Sequence, residues 1–519
     1  MKKLLSLALV LAMALSLVSS LTALAAEDDW ITLQIPVYDR NNPGLPPVDN
    51  NYWIDYIQEQ FGNPNQIKLE YVAIPRTAAI DKFNSLILSG DAPDLIFDYD
   101  YPNMVAFASA GALSPIDMAQ LQEVAPTFYA STQELHHWGV LSGEQMFLTA
   151  NRPTAYNYAT VIRQDWLDAV GKAMPANIDE YVDVLRAFKE AKLGGEDTVP
   201  LTVFLPQPNQ FFDYAFRDYP YPEDQLAMYG DLAIAPFTTD SFKAMLQWYN
   251  TLYNEGLISP EFALDADQTK ARADFMNGKA GVYGFYLQKE PPVIQTLMEN
   301  VPDAKLSILS PLSMKTANGQ PVEFKYAGYG MVMGINEACE HPEAVYKFLE
   351  WMVQPENLFI LQNGVEGVHY TLDEAGLPVP VADYAGADAM NYGSNKDMWC
   401  VVIEGKIFGD GSTEAAIKAQ RTYLPTGFEY LLDDRYADYQ AHIIPHWYPN
   451  FQFDRAITSA SEYSETLRAK FQQYTTELIM CTPEEFEAKY ESSKADYLAS
   501  GYQEVLDERL SVYNEITGK

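Results

Sequence analysis

Apolar residues follow two patterns along the chain, short continuous blocks and helical spacings. Residues 30–36 and 67–72 have the pattern of strands, and the apolar block at 95–97 predicts a short buried strand. Between these blocks, the spacing of apolar residues predicts helices over residues 52–61 and 78–88. Strands that alternate with helices in this way are typical of an α/β protein with helices on both faces of an open sheet.

Four further helices are predicted from capping residues and from prolines. One begins at Asn103 and ends at Gly111, where glycine favours a helix end. Asn177 caps a second helix and has a glutamate three positions on, as in a capping box. Pro342 opens a third helix, and Thr482 begins a terminal helical region with proline and glutamate in its first turn.

Length and composition describe an ordinary globular protein with an unusual charge. The chain has 519 residues, of which 48% are hydrophobic and 20% charged, so we expect two to four domains or one large two-lobed unit. Its 34 basic and 71 acidic residues give a net charge of −37. Because nucleic-acid binding depends on basic residues that neutralise phosphates, this balance excludes a nucleic-acid partner and disfavours docking onto an anionic membrane.

The amino terminus has the three parts of an export signal. Lys2 and Lys3 form a basic region, residues 4–18 are apolar apart from two serines, and Ala23 and Ala25 form the small-x-small pattern that a signal peptidase needs before its cleavage position. The sequence therefore predicts a signal peptide over residues 1–25 and an exported protein. A permanent amino-terminal anchor is the alternative.

Motifs for catalysis, cofactors and metals are not evident in the sequence. The G-x-S-x-G and H-E-x-x-H motifs do not occur, and Gly278 with Lys279 lacks the first glycine and the hydroxyl residue of a phosphate loop. His136 and His137 are adjacent, so regular structure does not bring them to one metal ion. We therefore expect no catalytic residue, no cofactor and no metal. A pair of carboxylates for glycoside hydrolysis stays open, because 71 acidic residues offer many pairs.

The predicted strand at 95–97 leads directly into a loop of acidic and aromatic residues, Asp98, Tyr99 and Asp100. In an open α/β sheet, ligands bind beyond the carboxyl ends of the strands. Carboxylates accept hydrogen bonds from sugar hydroxyls, and a flat ring covers the apolar face of a sugar. The pattern favours a sugar-binding loop, and a solvated loop with packed tyrosines is the alternative.

Four segments resemble one protein family and occur in that family's order. They read SGDAPDLIF at 89–97, RQDWL at 163–167, FMNGKAG at 275–281 and GVEGVHY at 364–370. The chain resembles the extracellular solute-binding proteins of ABC importers, in the branch of maltose-binding-type and larger oligosaccharide-binding proteins. The resemblance implies an α/β, two-lobed type II periplasmic-binding-protein fold with a hinged cleft between the lobes.

The resemblance also implies how the chain divides between the lobes. Both are expected to be discontinuous, because the chain crosses between them more than once. The first would contain residues 27–157 and about 329–395, and the second residues 158–328 and about 396–519.

Candidate ligand-binding residues are carried over from the family by position. The resemblance implies an acid and an aromatic at the loop of residues 98–100, and stacking aromatics near 211 and 285. Two tryptophans are added because their rings are the largest platforms for a sugar. The candidates are Asp98, Tyr99, Asp100, Phe211, Phe212, Tyr283, Phe285, Tyr286, Trp399 and Trp447. Core packing is the alternative for the aromatic residues outside the 98–100 loop.

The function that the resemblance implies is that of a non-catalytic, monomeric receptor. It would capture a carbohydrate, in particular an oligosaccharide, and deliver it to the transmembrane permease subunits of an ABC transporter. Ligand contacts with both lobes would shift a hinge equilibrium toward closure. The alternatives are a secreted polysaccharide-degrading enzyme, or the same fold binding a peptide or another small solute.

One feature departs from the family pattern. Members from Gram-positive bacteria carry a cysteine for lipidation after the signal segment, but Leu24 stands there and no cysteine precedes Cys339. We therefore expect an exported protein that is not lipidated at this position. It would be released, held in a periplasm, or tethered to the cell surface by an uncleaved signal segment.

Overall fold

Strands and helices alternate along most of the computed structural model, as the sequence predicts. It describes residues 30–40, 45–152, 158–203, 216, 225, 228–229, 234–265, 268–286, 291–309, 328–374, 376–381, 384–390, 392–406, 424–438, 440 and 451–519. The described strands are β1 (Ile31–Asp39), β2 (Ile67–Pro75), β3 (Leu95–Asp98), β4 (Leu113–Ser114), β5 (Val140–Leu141), β6 (Glu144–Gln145), β7 (Leu148–Asn151), β8 (Tyr158–Arg163), β9 (Val199–Leu201), β10 (Ala280–Tyr286), β11 (Leu306–Ile308), β12 (Tyr329–Asn336), β13 (Tyr370–Leu372) and β14 (Pro378–Pro380).

The helices vary in length from single turns to a helix of 23 residues. The described α-helices are Tyr52–Ile57, Asn63–Asn65, Ala79–Ser89, Tyr101–Ser109, Met118–Val124, Pro126–Thr132, Gln164–Val170, Ile178–Glu190, Asp240–Asn254, Thr269–Met276, Pro291–Asn300, Pro342–Val353, Pro355–Asn363, Tyr392–Trp399, Tyr430–Asp438, Thr458–Met480, Pro483–Tyr497 and Gln503–Thr517. Two π-helical turns, Gln58–Gly62 and Leu498–Tyr502, join neighbouring helices. Three 3-10 helices are described at Arg76–Ala78, Gln133–Gly139 and Phe262–Leu264.

The chain divides into two compact units, and both are discontinuous in sequence. The first contains the described residues of Met1–Asn151, Tyr329–Thr371 and Pro380–Lys406. The second contains those of Arg152–Gly328, Leu372–Val379 and Ile407–Lys519. The last long segment of the first unit thus ends at Lys406, about ten residues beyond the boundary expected from the sequence.

The first unit is built around strands that are buried on both faces. β1 and β2 pair in parallel, from Ile31 opposite Ile67 to Asp39 opposite Pro75. β12 lies between β3 and β4 and also pairs with β7, antiparallel to all three. All four residues of β3 and seven of the eight in β12 are buried, which is why β3 appears in the sequence as a continuous apolar block.

The carboxyl ends of four strands in this unit point to the same edge. β1 runs beside β3 in the same direction, because the Gln34 backbone N–H donates to Asp94 at 2.8 Å and the Tyr38 ring contacts Phe97 at 4.8 Å. β2 is parallel to β1, and β7 and β3 are both antiparallel to β12. β1, β2, β3 and β7 therefore end where β12 begins, and such an edge is where open α/β sheets bind ligands.

The helices of the first unit agree with the sequence prediction, with one correction. The helix predicted over 52–61 is observed as Tyr52–Ile57 and continues as a π-helical turn, and the helix predicted over 78–88 is observed at Ala79–Ser89. The predicted start at Asn103 is wrong, because the helix begins at Tyr101. Pro102 lies in its first turn, where a missing N–H costs no helical hydrogen bond.

The predicted helix starts at the other capping residues are confirmed. Asn177 Oδ1 accepts the Glu180 backbone N–H at 2.8 Å, and the helix runs from Ile178 to Glu190. Thr482 forms a complete capping box with Glu485. A helix also begins at Pro342, as predicted.

The second unit has a separate sheet and a helical carboxyl-terminal part. Its four strands have the order β11–β8–β10–β9, with β8 antiparallel to both of its neighbours and β9 parallel to β10. The last three helices, with the π-helical turn that joins two of them, bury Leu478, Tyr490 and Tyr502 in a common core with Trp166 and Tyr249. Burial of large aromatic side chains such as these stabilises this part of the fold.

Candidate functional site

The candidate site lies at the edge of the first unit where β1, β2 and β3 end. Tyr38 is near the end of β1, Arg76 follows the end of β2, and Asp98 is the last residue of β3. Tyr99 and Asp100 follow β3 directly. The strand directions therefore bring together two tyrosine rings, one guanidinium and two carboxylates.

Asp98 is buried and fixes the turn that follows β3. It is only 1% exposed, and its Oδ1 accepts the backbone N–H of Asp100 at 2.8 Å. Its Oδ2 is buried as well. Burial and the nearby charge of Asp100 raise the pKa of Asp98. The side chain therefore holds Asp100 in place.

Tyr99 is held by its hydroxyl group and by its ring. The hydroxyl donates to Asp397 Oδ1 at 2.8 Å, and the ring stacks on Tyr38 with centroids 5.9 Å apart and planes 25° apart. Burial and the charge of Asp397 raise the pKa of Tyr99 well above its usual value, so the hydroxyl remains a donor at neutral pH. Tyr99 as a whole is half-buried. Tyr38 is fully buried, so the two stacked rings form an aromatic floor in which the ring of Tyr99 is the partly exposed member.

Arg76 lies over this floor and is accessible to solvent. Its Cζ atom is 4.9 Å from the ring centroid of Tyr38 and 5.7 Å from that of Tyr99, within cation–π range. Its Nη2 is 4.0 Å from Asp100 Oδ2, and the side chains of Arg76 and Asp100 are 32% and 66% exposed. A half-buried guanidinium and an exposed carboxylate thus lie side by side near the ring of Tyr99. Together they can donate to, and accept from, a polyhydroxylated ligand.

Asp397 anchors the floor from a distant part of the chain. Its buried carboxylate accepts hydrogen bonds from Arg40 Nε at 2.8 Å and Nη2 at 3.1 Å, as well as from Tyr99. Burial raises the pKa of Asp397, but the charges of Lys396 and Arg40 and the Tyr99 hydrogen bond outweigh it, so this pKa is lowered. The carboxylate stays ionised and fixes the ends of β1 and β3.

The other candidates from the sequence lie outside this group of residues. Tyr283 is fully buried in the second unit and stacks on Phe275 at 4.9 Å and 18°. Trp399 is 2% exposed, in the core of the first unit. In both cases the ring is packed in a core, which the sequence analysis gave as the alternative to ligand binding for these residues.

The remaining aromatic candidates are described in part or not at all. Phe285 and Tyr286 belong to β10 and pair with Ala159 and Tyr158 of β8 through the backbone, but their side chains lie outside the described residues. The candidates Phe211, Phe212 and Trp447 also lie outside the described residues.

Three residues of the site were missed in the sequence. Tyr38 and Arg76 lie two and four residues beyond the ends of predicted strands, so the rule that ligands bind beyond strand ends could have found them. Asp397 is 298 residues from Tyr99 and has no local signal in the sequence. Only the folded chain brings it to the site.

The described residues offer no group of three or more histidine, cysteine, aspartate or glutamate side chains that could hold a metal ion. Among the same residues, none of the helices combines the length and the hydropathy that a bilayer-spanning helix needs.

Comparison with known proteins identifies the family. The model of the family "Bacterial extracellular solute-binding protein" matches residues 47–358, which is more than half of the chain. Lipoprotein LipO of Bacillus subtilis (strain 168) is 27% identical over 364 residues, covering 67% of this chain and 68% of that protein. Its name describes a lipoprotein, whereas this chain has Leu24 where a lipidated cysteine was expected.

Two solved structures of sugar-binding proteins share the fold. Alginate-binding protein AlgQ2 without calcium ion has a TM-score of 0.65 at 18% identity, covering 94% of this chain and 98% of that one. The substrate-binding protein FusA of Streptococcus pneumoniae in complex with kestose also has a TM-score of 0.65, at 17% identity and with 94% and 99% coverage. The two-lobed solute-binding fold that the sequence predicts is therefore confirmed. The chain belongs to the family of bacterial extracellular solute-binding proteins.

Proposed function

We propose that this chain is the extracytoplasmic substrate-binding component of an ABC transporter, which captures an oligosaccharide and delivers it to a membrane permease. Family membership supports the role of solute receptor. The carbohydrate ligand is supported by two proteins of the same fold, one described as alginate-binding and one bound to kestose. The cargo that we propose is thus an oligosaccharide, and the partner is a pair of permease subunits.

The observation that carries the proposal is that Arg76 and Asp100 lie beside the half-buried ring of Tyr99, which stacks on the fully buried ring of Tyr38. Sugar rings have an apolar C–H face and a rim of hydroxyl groups, so they bind where aromatic rings and charged hydrogen-bonding groups are adjacent. Asp100 would accept hydroxyl protons and Arg76 would donate to hydroxyl oxygens. Asp98, which is buried beneath them, would position Asp100 through its backbone N–H.

The proposed function involves binding and no covalent chemistry. The family and the fold are those of binding proteins. Asp98 and Asp100 are close together, but the first uses its oxygen to fix a turn and the second is paired with Arg76. We therefore propose that a bound oligosaccharide is released with all its covalent bonds intact. We also propose that the chain is a monomeric receptor without a nucleic-acid partner.

Export is part of the same proposal. The family is extracellular, and residues 1–25 have the pattern of a signal peptide. A cysteine is missing where the family is lipidated, so we propose a protein that is not lipidated at this position. Fractionation of cells that express the full chain, with amino-terminal sequencing of the exported form, tests the cleavage after the signal.

Isothermal titration calorimetry against a panel of oligosaccharides tests the function. The panel should contain fructans, galacturonans, alginates and glucans of one to six units, together with tripeptides as competing solutes. We expect binding of at least one oligosaccharide series and no release of reducing ends from the matching polysaccharide. Binding of the peptides alone, or turnover of a polysaccharide, would contradict the proposal.

A further inference from the structure

Two of the cations beside the aromatic floor are already paired with a buried carboxylate. Arg40 Cζ lies 5.8 Å from the ring centroid of Tyr38, and Lys396 Nζ lies 5.7 Å from that of Tyr99. Arg40 donates two hydrogen bonds to Asp397, and Lys396 Nζ is 4.0 Å from the same carboxylate. The charges of both cations are therefore matched within the protein.

The third cation beside the floor, Arg76, has a more exposed carboxylate next to it. Arg76 Nη2 is 4.0 Å from Asp100 Oδ2, and the side chain of Asp100 is 66% exposed, against 32% for Arg76. This separation is longer than a hydrogen bond, so the two groups interact through their charges. A ligand group that reaches the Arg76 guanidinium therefore also lies beside the Asp100 carboxylate, which is the more accessible of the two.

A second carboxylate lies directly behind Asp100. The buried Asp98 side chain accepts the Asp100 backbone N–H at 2.8 Å. Burial is the largest cause of the raised pKa of Asp98, and the charge of Asp100 raises this pKa further. The negative charge of Asp100 thus already disfavours another negative charge close to it. A carboxylate brought by a ligand would meet the same repulsion.

The charge of the whole chain acts in the same direction. Its 71 acidic and 34 basic residues give a net charge of −37, so the long-range field of the protein repels anionic solutes. The hydroxyl groups of a neutral sugar can donate to Asp100 and accept from Arg76 without adding charge. The local pair and the overall charge therefore both favour an uncharged sugar over a uronic acid.

We propose that Asp100 determines the charge of the preferred ligand, so that this site selects uncharged oligosaccharides over oligosaccharides that carry carboxylates. This inference rests on the proposed function and names the class of sugar within it. Asp100 is the determinant because it is the exposed carboxylate beside Arg76. Without its charge, the planar Arg76 guanidinium would be left to pair with a carboxylate of the ligand, a geometry for which it is well suited.

Calorimetric titration of wild type with three matched probes tests this selectivity. The first probe is a neutral four-unit glucan or fructan that wild type binds. The second is the same chain with one primary hydroxyl group oxidised to a carboxylate, and the third is the methyl ester of the second, which keeps its shape without its charge. We expect the acid to bind at least about tenfold more weakly than its ester, equivalent to about 1.4 kcal/mol.

The variant D100N tests whether Asp100 causes this preference. We expect the difference between acid and ester to shrink to less than about threefold in D100N, because the repelling charge is removed. D91N is the matched control, since Asp91 is an exposed aspartate of the same unit that precedes β3, at the opposite end of the strand from Asp100. It should keep the full preference. An unchanged preference in D100N, or an equal loss in D91N, would overturn the role of Asp100.

The salt dependence of binding by wild type does not depend on the folding of a variant. Salt screens repulsion between exposed charges, because the Debye length falls from about 30 Å at 0.01 M to about 3 Å at 1 M. We expect the affinity for the acid to approach that for the ester as the salt concentration rises over this range. Affinity for the acid that falls relative to the ester, or that equals it at low salt, overturns the proposal.

The oligosaccharide panel separates this inference from the proposed function. If the wild-type chain binds only the galacturonans or alginates of the panel, the charge selectivity is overturned while the proposed function stands. If it binds no oligosaccharide, the proposed function fails and this inference fails with it.

Discussion

Arg40 and Asp397 form an ion pair with two hydrogen bonds, although 357 residues separate them in sequence. The Asp397 side chain is 1% exposed and that of Arg40 is 25% exposed. Because Asp397 also accepts from the Tyr99 hydroxyl, the pair fixes the end of β1 and the residue after β3 at one point. The position of the Tyr99 ring in the candidate site therefore depends on a contact between distant parts of the chain.

Removal of Arg40 should therefore destabilise the first unit. In R40A the buried Asp397 carboxylate loses the guanidinium that donates two hydrogen bonds to it. Breaking such a buried pair lowers the free energy of unfolding by about 3 kcal/mol. Calorimetric and urea unfolding should show this loss in free energy of unfolding. K68A is the control, because the Lys68–Glu70 pair at 2.8 Å is exposed on both sides and should contribute nothing measurable. Equal stability of R40A and K68A would contradict the role of the buried pair.

The stability of D98N should depend on pH differently from that of wild type. Burial and the charge of Asp100 raise the pKa of Asp98, so the folded chain binds this proton more tightly than the unfolded chain does. Ionisation at neutral pH therefore costs stability, and the cost disappears as the pH falls through the raised folded-state pKa. The asparagine side chain of D98N cannot ionise, and its amide oxygen can still accept the Asp100 N–H.

We expect D98N to be more stable relative to wild type at pH 7 than at pH 4, as measured by the difference between their free energies of unfolding. Urea unfolding at the two pH values gives this difference directly. A relative stability that is constant, or that improves toward pH 4, would mean that Asp98 is not a carboxyl with a raised pKa.

Substitution by alanine should destabilise the second unit more at Gly501 than at Gly171, although both glycines have a positive φ. The φ of Gly501 is +105°, and an added Cβ would lie 2.2 Å from the Tyr463 ring, whose hydroxyl donates to Glu504 at 2.9 Å. Gly171 has a φ of +63° and open space around it. G171A should cost about 1 kcal/mol for the left-handed backbone alone, whereas G501A should cost about 3 kcal/mol because a clash adds to the strain. Thermal unfolding of both variants measures this, and equal costs would contradict the clash.

The sequence predicts well those parts of the fold that local patterns determine. The apolar block at 95–97 became β3, and the cap at Asn177 and the capping box at Thr482 occur as expected. The ends of strands are predicted less well, because pairing with a neighbouring strand can extend a strand beyond its apolar pattern. β1 continues to Asp39, three residues beyond its predicted end, since its backbone remains paired with β2.

The candidate site could be predicted only in part. The loop of Asp98, Tyr99 and Asp100 is recognisable because a strand end is a local feature. Asp397 could not be found, since its contact with Tyr99 spans 298 residues.

The central claim is that the ends of β1, β2 and β3 bind an oligosaccharide through Arg76 and Asp100. The most direct test is calorimetric titration of wild type, R76A and R468A with the oligosaccharide that wild type binds most tightly. R468A removes an exposed arginine of the second unit, whose side chain is 66% exposed, so it is a matched control for the loss of one charge. We predict at least tenfold weaker binding by R76A, since hydrogen bonds to a charged group contribute about 1.5–3 kcal/mol, and unchanged binding by R468A. Equal affinity of R76A and wild type for that oligosaccharide would contradict the claim.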